Sequence, residues 1–294
     1  MPLPAPLQGA LWMCLSGLLF ACLSAIVRHT SADLHPFEIA FFRSVIILVL
    51  MLSWKGRSFK SIQVGQWKMH MVRAVSGTAA MLCIFTAFSL MPVAEVTALT
   101  FTAPLFATLG AGLFLGETVR ARRWMATLIG FIGAMIILRP GAAALTEGAW
   151  LAMAASVALS VTVLSIKALS RTEAPNTIVL VNAFLMTLFS LIPALFVWTW
   201  PSPTLIAWMV LAGIVAFGIQ QSLTRAFAAA EATAVLPFDF ARLLFTALIG
   251  FIAFGEAPDL WTWVGGAVIV ASTVYIAHRE SVAERQVTDK PPLL

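Results

Sequence analysis

Apolar residues fill ten successive runs, at about 7–27, 36–54, 70–90, 95–115, 122–138, 148–168, 177–198, 205–224, 232–254 and 260–278. Each approaches the ~20 residues that a helix needs to cross a hydrocarbon core. The runs are apolar on most faces rather than along one stripe, as helices surrounded by lipid and by other apolar helices must be. Ten-residue segments of alternating polar and apolar residues, the mark of a membrane barrel, do not occur. The pattern therefore predicts an all-α polytopic membrane protein with ten transmembrane helices. The first run has no Lys or Arg before it and no small-residue cleavage site, so it reads as a retained span.

Composition agrees. Of 294 residues, 61% are hydrophobic and 11% charged, more apolar surface than one soluble domain of this length buries. Trp54, Trp67, Trp124, Trp150, Trp198, Trp200, Trp208, Trp261 and Trp263 fall at or near run ends, where an indole keeps its ring apolar and its N–H among headgroups. Only Trp12 lies clearly inside a run. Fourteen of the eighteen Lys and Arg sit on the connections that share a side with both termini. That bias places the N-terminus and C-terminus in the cytoplasm, in a bacterial inner membrane. The basic residues form no water-facing patch, so nucleic acid is not an expected partner despite the net charge of +5. The expected partners are a small-molecule substrate and membrane lipid, with the chain a monomer or weak homodimer. The mixed-charge segment 279–294 is expected to be a disordered cytoplasmic tail.

The chain repeats itself. Ala94-Glu95-Val96-Thr97-Ala98 leads to Gly116-Glu117 and then Trp124, while Ala230-Glu231-Ala232-Thr233-Ala234 leads to Gly255-Glu256 and then Trp263. The Gly-Glu to Trp spacing is the same in both copies, with three extra residues between the glutamates of the second. Five spans per copy is an odd number, so the halves, 1–140 and 141–278, would lie in opposite orientations. Inverted halves are a common plan for secondary transporters, with a shared site at the bilayer midplane.

Phe42-Arg43 in the second run, Ala87-Phe88-Ser89-Leu90-Met91-Pro92-Val93-Ala94, Pro104-Leu105, Leu115-Gly116-Glu117 and Phe254-Gly255-Glu256 together resemble the EamA-type branch of the drug/metabolite transporter superfamily. The resemblance covers nearly the whole chain and implies ten helices in two inverted five-helix repeats. Within that superfamily the chain resembles bacterial exporters of the YddG-like aromatic amino acid type. This implies export of small amphipathic metabolites, amino acids including aromatic ones, by alternating access. The second copy departs from the pattern at Leu236-Pro237-Phe238-Asp239-Phe240-Ala241-Arg242, which has no proline aligned with Pro104.

Charges well inside runs mark the first candidates. Asp239 and Arg242 stand three apart and share a helix face. Such a pair either lines the substrate path or ties two helices together. Arg43 has Glu38 nearby in sequence and reads as snorkelling to the interface or bonding a helix-end carbonyl. Glu95 and Glu231 open the fourth and ninth runs as helix-start carboxylates, and Glu117 and Glu256 read as turn residues.

Ser16, Ser24, Ser76, Thr78, Thr97, Thr100, Thr102, Ser156, Ser160, Gln220 and Gln221 recur across runs, either as interhelical glue or as the polar lining of a central cavity. Phe20, Met81, Phe85, Phe101, Phe238 and Phe240 would make that lining mostly apolar, suiting an amphipathic or aromatic molecule. The candidate substrate-binding set is thus Ser16, Phe20, Thr78, Met81, Phe85, Thr97, Phe101, Ser156, Ser160, Gln220, Phe238, Asp239 and Arg242. Glycines at 110, 112, 130, 133, 265 and 266 permit close helix approach. Pro104, Pro193 and Pro237 are candidate kinks.

No phosphate-cradling GxxxxGK[ST], H-E-x-x-H or G-x-S-x-G occurs, so neither an ATPase nor a hydrolase is indicated. Cys14, Cys22 and Cys83 read as core residues without metal-ligand spacing. No cofactor or metal is expected. A channel is the rival from another class, but rings of carboxylates or carbonyl-rich filters are missing.

Overall fold

A computed structural model of the chain describes residues 5–54, 65–114, 121–138, 146–169, 172–173, 175–229, 238–239 and 241–288. Eleven α-helices occur among them: α1 (Ala5–Thr30), α2 (Pro36–Trp54), α3 (Trp67–Leu90), α4 (Val93–Thr100), α5 (Ala103–Phe114), α6 (Ala121–Leu138), α7 (Glu147–Leu169), α8 (Pro175–Phe196), α9 (Pro203–Ala229), α10 (Ala241–Phe254) and α11 (Leu260–Thr288). No strand occurs among the described residues. Six segments are long and apolar enough to cross a bilayer, and four shorter apolar ones accompany them, including Val93–Ala107 and Ala241–Phe254. Glu117, Glu231, Pro237 and Phe240 lie outside the described residues.

The fourth predicted run forms two helices. Pro104 has no N–H to donate, which suits it to the first turn of a helix: α4 stops at Thr100 and α5 begins at Ala103. Between them the chain tightens, Phe101 N–H donating to the Ala98 carbonyl at 3.2 Å and Thr102 N–H to that of Leu99 at 3.0 Å. A 3₁₀ turn at 238–239 precedes α10.

Helices from before residue 140 pack mainly on helices from after residue 146. The most extensive pairings are α3 with α7, α1 with α9 and α6 with α11, followed by α1 with α10 and α2 with α8. Exchanging the two sets, with α4 and α5 counted together, turns the α3–α7 pairing into α9–α1 and the α1–α10 pairing into α7–α4/α5. The α2–α8 and α6–α11 pairings map onto themselves. One buried apolar cluster, with Leu23, Phe85, Phe88, Leu99, Met209, Leu243 and Ile269 among its members, draws from both sets. Outward-facing Leu188, Ile192, Leu248, Phe251 and Ile252 are exposed, forming the kind of apolar surface that lipid covers.

The expected disordered tail is corrected in part. α11 continues as helix to Thr288, because Arg279-Glu280-Ser281-Val282-Ala283-Glu284-Arg285 consists largely of good helix formers and nothing in it breaks the turn already running.

The α6–α11 crossing depends on missing side chains. A Cβ on Gly133 would lie 2.8 Å from the Gly265 carbonyl oxygen, and one on Gly265 would lie 2.6 Å from that of Gly133. Backbone is in contact with backbone, so neither side can yield locally. Gly265→Val is expected to cost about 1–3 kcal/mol by overpacking, read as a Tm lower by roughly 2–10 °C in detergent. An unchanged Tm would show that the helices separate freely there.

Candidate functional site

Arg242 is the second residue of α10 and stands twelve residues before the helix end at Phe254, a depth of about 18 Å at 1.5 Å per residue. Its guanidinium carbon lies 4.6 Å from the ring centroid of Phe20 on α1 and 4.6 Å from that of Phe101. Phe101 stands at the α4–α5 break. The cation is therefore flanked by two ring faces, an attraction of ~2 kcal/mol or more where water is excluded. Asp239 reaches it through a single contact, Oδ2 to Nη2 at 3.8 Å. The Nε of Arg242 is buried without a hydrogen-bond partner. Gly17 lets α10 come this close to α1, since a Cβ there would meet the Arg242 backbone at 3.3 Å. Phe88 packs edge-on against Phe20 at 6.2 Å and carries the aromatic surface on to α3.

A second cluster gathers around Arg43. Its Nη1 lies 2.8 Å from the Met81 sulfur and its guanidinium carbon 5.7 Å from the Phe85 ring centroid. Thr78, Met81 and Phe85 share one face of α3, spaced by three and four residues. The Thr78 hydroxyl and the Arg43 Nε are buried without hydrogen-bond partners. The expected proximity of Glu38 is corrected. Five residues apart on a helix, the two side chains point about 140° apart. Glu38 is fully buried and instead accepts from Thr199, at 2.8 Å from the backbone N–H and 3.2 Å from the hydroxyl.

The remaining candidates divide. Ser16 is buried one turn before Phe20. Thr97 donates to the Val93 carbonyl, Ser160 to that of Val157, and Ser156 on α7 crosses to the Leu99 carbonyl at 3.1 Å. Thr100 and Thr102 likewise donate to the carbonyls of Thr97 and Leu99. Thr97, Thr100, Thr102 and Ser156 thus secure the helix around the break. Phe238 is exposed, and so is Gln220 on the late part of α9. Trp12 takes Arg225 over its ring at 4.7 Å. Among the described residues no group of three or more His, Cys, Asp or Glu is placed to hold a metal.

Each end of the bundle also carries a polar tie between the halves. At one end Glu256, after the positive-φ turn at Gly255, pairs with Arg28 at 3.2 Å and accepts from the Val93 N–H at 3.1 Å. Arg28 also donates to the Phe88 carbonyl at 2.9 Å. Glu256 is therefore an inter-half partner as well as a turn residue. At the opposite end Glu173 lies 2.6 Å from His70 Nε2, and its other oxygen accepts from the N–H groups of Gly65 and Gln66 at 3.0 and 2.8 Å. Arg73 donates to the Ile178 carbonyl at 2.6 Å. Burial pushes the Glu173 carboxyl up. The Gln66 amide, the His70 hydrogen bond and charge, and the Gly65 amide outweigh that and hold it below its ordinary value. An ionised Glu173 only accepts, so His70 Nε2 is the donor. His70 was not a candidate on sequence. Its partner is 103 residues away, and no local spacing marks the pair.

The sequence model described as the EamA-like transporter family matches the chain twice, over residues 7–139 and 146–277. A riboflavin transporter of Vibrio cholerae is 35% identical over 96% of this chain and 96% of its own. A riboflavin transporter of Rhizobium johnstonii is 32% identical over 95% of this chain and 93% of its own. An S-adenosylmethionine uptake transporter of Rickettsia prowazekii is 26% identical over 93% of this chain and 94% of its own. A chain solved by crystallography shares the fold, with a TM-score of 0.63 and 19% identity over 94% of this chain and 97% of that one.

With its folded-state value held below the ordinary 4.5, Glu173 stabilises the fold above that pH, and the contribution disappears as pH falls through the folded-state value. Thermal melts of the wild type and Glu173→Gln should differ at pH 7, the wild type being more stable. They should converge as the pH drops below 4.5. A gap that stays constant with pH would mean that Glu173 acts only through its shape.

Proposed function

This chain belongs to the EamA-like transporter family, and we propose that it carries a small flat-ringed metabolite of the riboflavin class across the inner membrane by alternating access. The observation behind this reading is the guanidinium of Arg242 held between the rings of Phe20 and Phe101, deep in the membrane and beside a broken helix. Discontinuous helices that meet near the midplane are where carriers of inverted-repeat design hold cargo. Two flat apolar faces and a delocalised cation favour a heteroaromatic ring. Riboflavin and S-adenosylmethionine, named for the relatives, both contain one. Export of amino acids, aromatic ones included, would use the same ring surfaces, but the names of these relatives do not point to it.

The reading takes the chain as ten spans in two inverted halves with both termini cytoplasmic. The exchange symmetry of the helix pairings supports two equivalent halves, the odd number of spans in each supports the inversion, and the positive charges support the orientation. On that orientation His70–Glu173 lies at the cytoplasmic mouth and Arg28–Glu256 at the outer mouth. Each joins one half to the other. Alternating access then requires the two ties to open in turn, with the chain acting as a carrier rather than an enzyme.

Counterflow in proteoliposomes tests this. Riboflavin, S-adenosylmethionine, tryptophan and phenylalanine would each be loaded inside and tested for exchange, with and without a pH gradient. Saturable exchange of riboflavin is expected, with Phe101→Ala and Arg242→Gln each losing about tenfold, ~1.4 kcal/mol of binding, at unchanged folded yield. Exchange of tryptophan but not riboflavin would move the cargo to amino acids. Non-saturable flux would replace the carrier by a channel.

A further inference from the structure

We propose that Arg43 and Thr78 form a second recognition point for the cargo, one that binds a carbonyl-bearing hydrogen-bonding edge of its ring system. The inference rests on the flat-ring reading above and adds the polar group that the ring must carry. Arg43 lies seven residues into α2. Its visible partners are a thioether and an aromatic ring, both poor acceptors for a guanidinium that offers five N–H donors. It has no carboxylate partner among the described residues. Its Nε is left unbonded, and so is the Thr78 hydroxyl one turn from Met81.

Two buried polar groups without partners, on facing helices and around the same methionine, call for an explanation in a folded protein. The other hydroxyls weighed as candidates nearby are satisfied: Thr97, Ser156 and Ser160 each donate to a backbone carbonyl. Unbonded buried atoms occur elsewhere too, at His70 Nδ1, Arg73 Nε, Asn182 Oδ1 and Arg242 Nε, but only here do two of them flank one methionine on facing helices. Donors that the protein leaves unbonded favour a ligand that supplies acceptors, and reject one that does not.

Chemistry narrows the ligand group. Arg43 only donates, while the Thr78 hydroxyl donates or accepts. Together they complement an edge in which carbonyl acceptors flank an N–H, as in the imide of a flavin ring. An aromatic path connects this point to the Arg242 platform, because Phe85 under Arg43 and Phe88 against Phe20 lie three residues apart on α3. A ring lying along that path would present its face to the phenylalanines and its polar edge to Arg43 and Thr78. Met81 then acts as a soft stand-in for the cargo, occupying one Arg43 donor until a carbonyl replaces it.

The test measures binding of riboflavin and of 3-methylriboflavin, whose imide N–H is blocked, to full-length protein in nanodiscs by flavin fluorescence quenching. The wild type should prefer riboflavin. Arg43→Met and Thr78→Val should weaken riboflavin roughly 10–100-fold and abolish the preference, while Thr78→Ser retains it. Phe101→Ala should weaken both flavins alike and leave the preference in place. Should Arg43→Met not fold, Thr78→Val against Thr78→Ser decides the point. Variants that keep wild-type affinity and preference would overturn the inference and leave the flat-ring reading intact. A wild type that binds neither flavin would overturn both.

Discussion

A helix cannot be interrupted in hydrocarbon unless the protein itself bonds the backbone groups that the interruption frees. The break between Thr100 and Ala103 meets that condition with short hydroxyl side chains. Thr102 and Ser156 both donate to the Leu99 carbonyl, Thr100 to that of Thr97, and the tightened turn takes up the amides of Phe101 and Thr102. Ser156 comes from the other half of the chain. The packing of the halves therefore adds to the local bonds that hold the break, and the break is what displays Phe101 toward Arg242. Platform, break and inter-half packing form one dependency.

The same interlocking explains why the charges lie where they do. Arg242 is deep, yet two rings and a loosely placed Asp239 surround it in place of a tight carboxylate pair. A tight pair would be costly to rearrange in a low-dielectric interior. A guanidinium between rings can be displaced by another flat, polarisable group at smaller cost. The tight ionic contacts sit at the ends of the bundle, at His70–Glu173 and Arg28–Glu256, where opening exposes them to water. Close ionic contacts at the ends and a looser contact in the middle are the distribution that the proposed carrier cycle needs.

Much of the fold was legible in the sequence because lipid imposes a simple rule, apolar residues over the width of the core. The duplication could be seen from two Gly-Glu and Trp pairs at equal spacing, and Pro104 announced the broken helix. The site was legible in part. Phe20, Phe101, Asp239 and Arg242 stood out as aromatics and charges within spans and are gathered in one place. Gln220 stood out equally and is exposed on α9. Arg43 was visible as a charge, but its lack of a carboxylate depends on Glu38 turning away to Thr199, 161 residues distant. The ties at Glu173 and Glu256 were hidden for the same reason. Contacts between halves separated by more than a hundred residues leave no local pattern.

On the proposed reading a flat cargo ring docks at the meeting point of Phe20, Phe101 and Arg242 beside the broken helix. The most direct test of that reading is a cryo-electron microscopy structure of the protein in nanodiscs at saturating riboflavin. Ring density stacked on Phe20 or Phe101 with Arg242 moved aside is the predicted result. Density only at the mouths, or unchanged packing of Arg242 between both phenylalanines while riboflavin occupies another site, would contradict it.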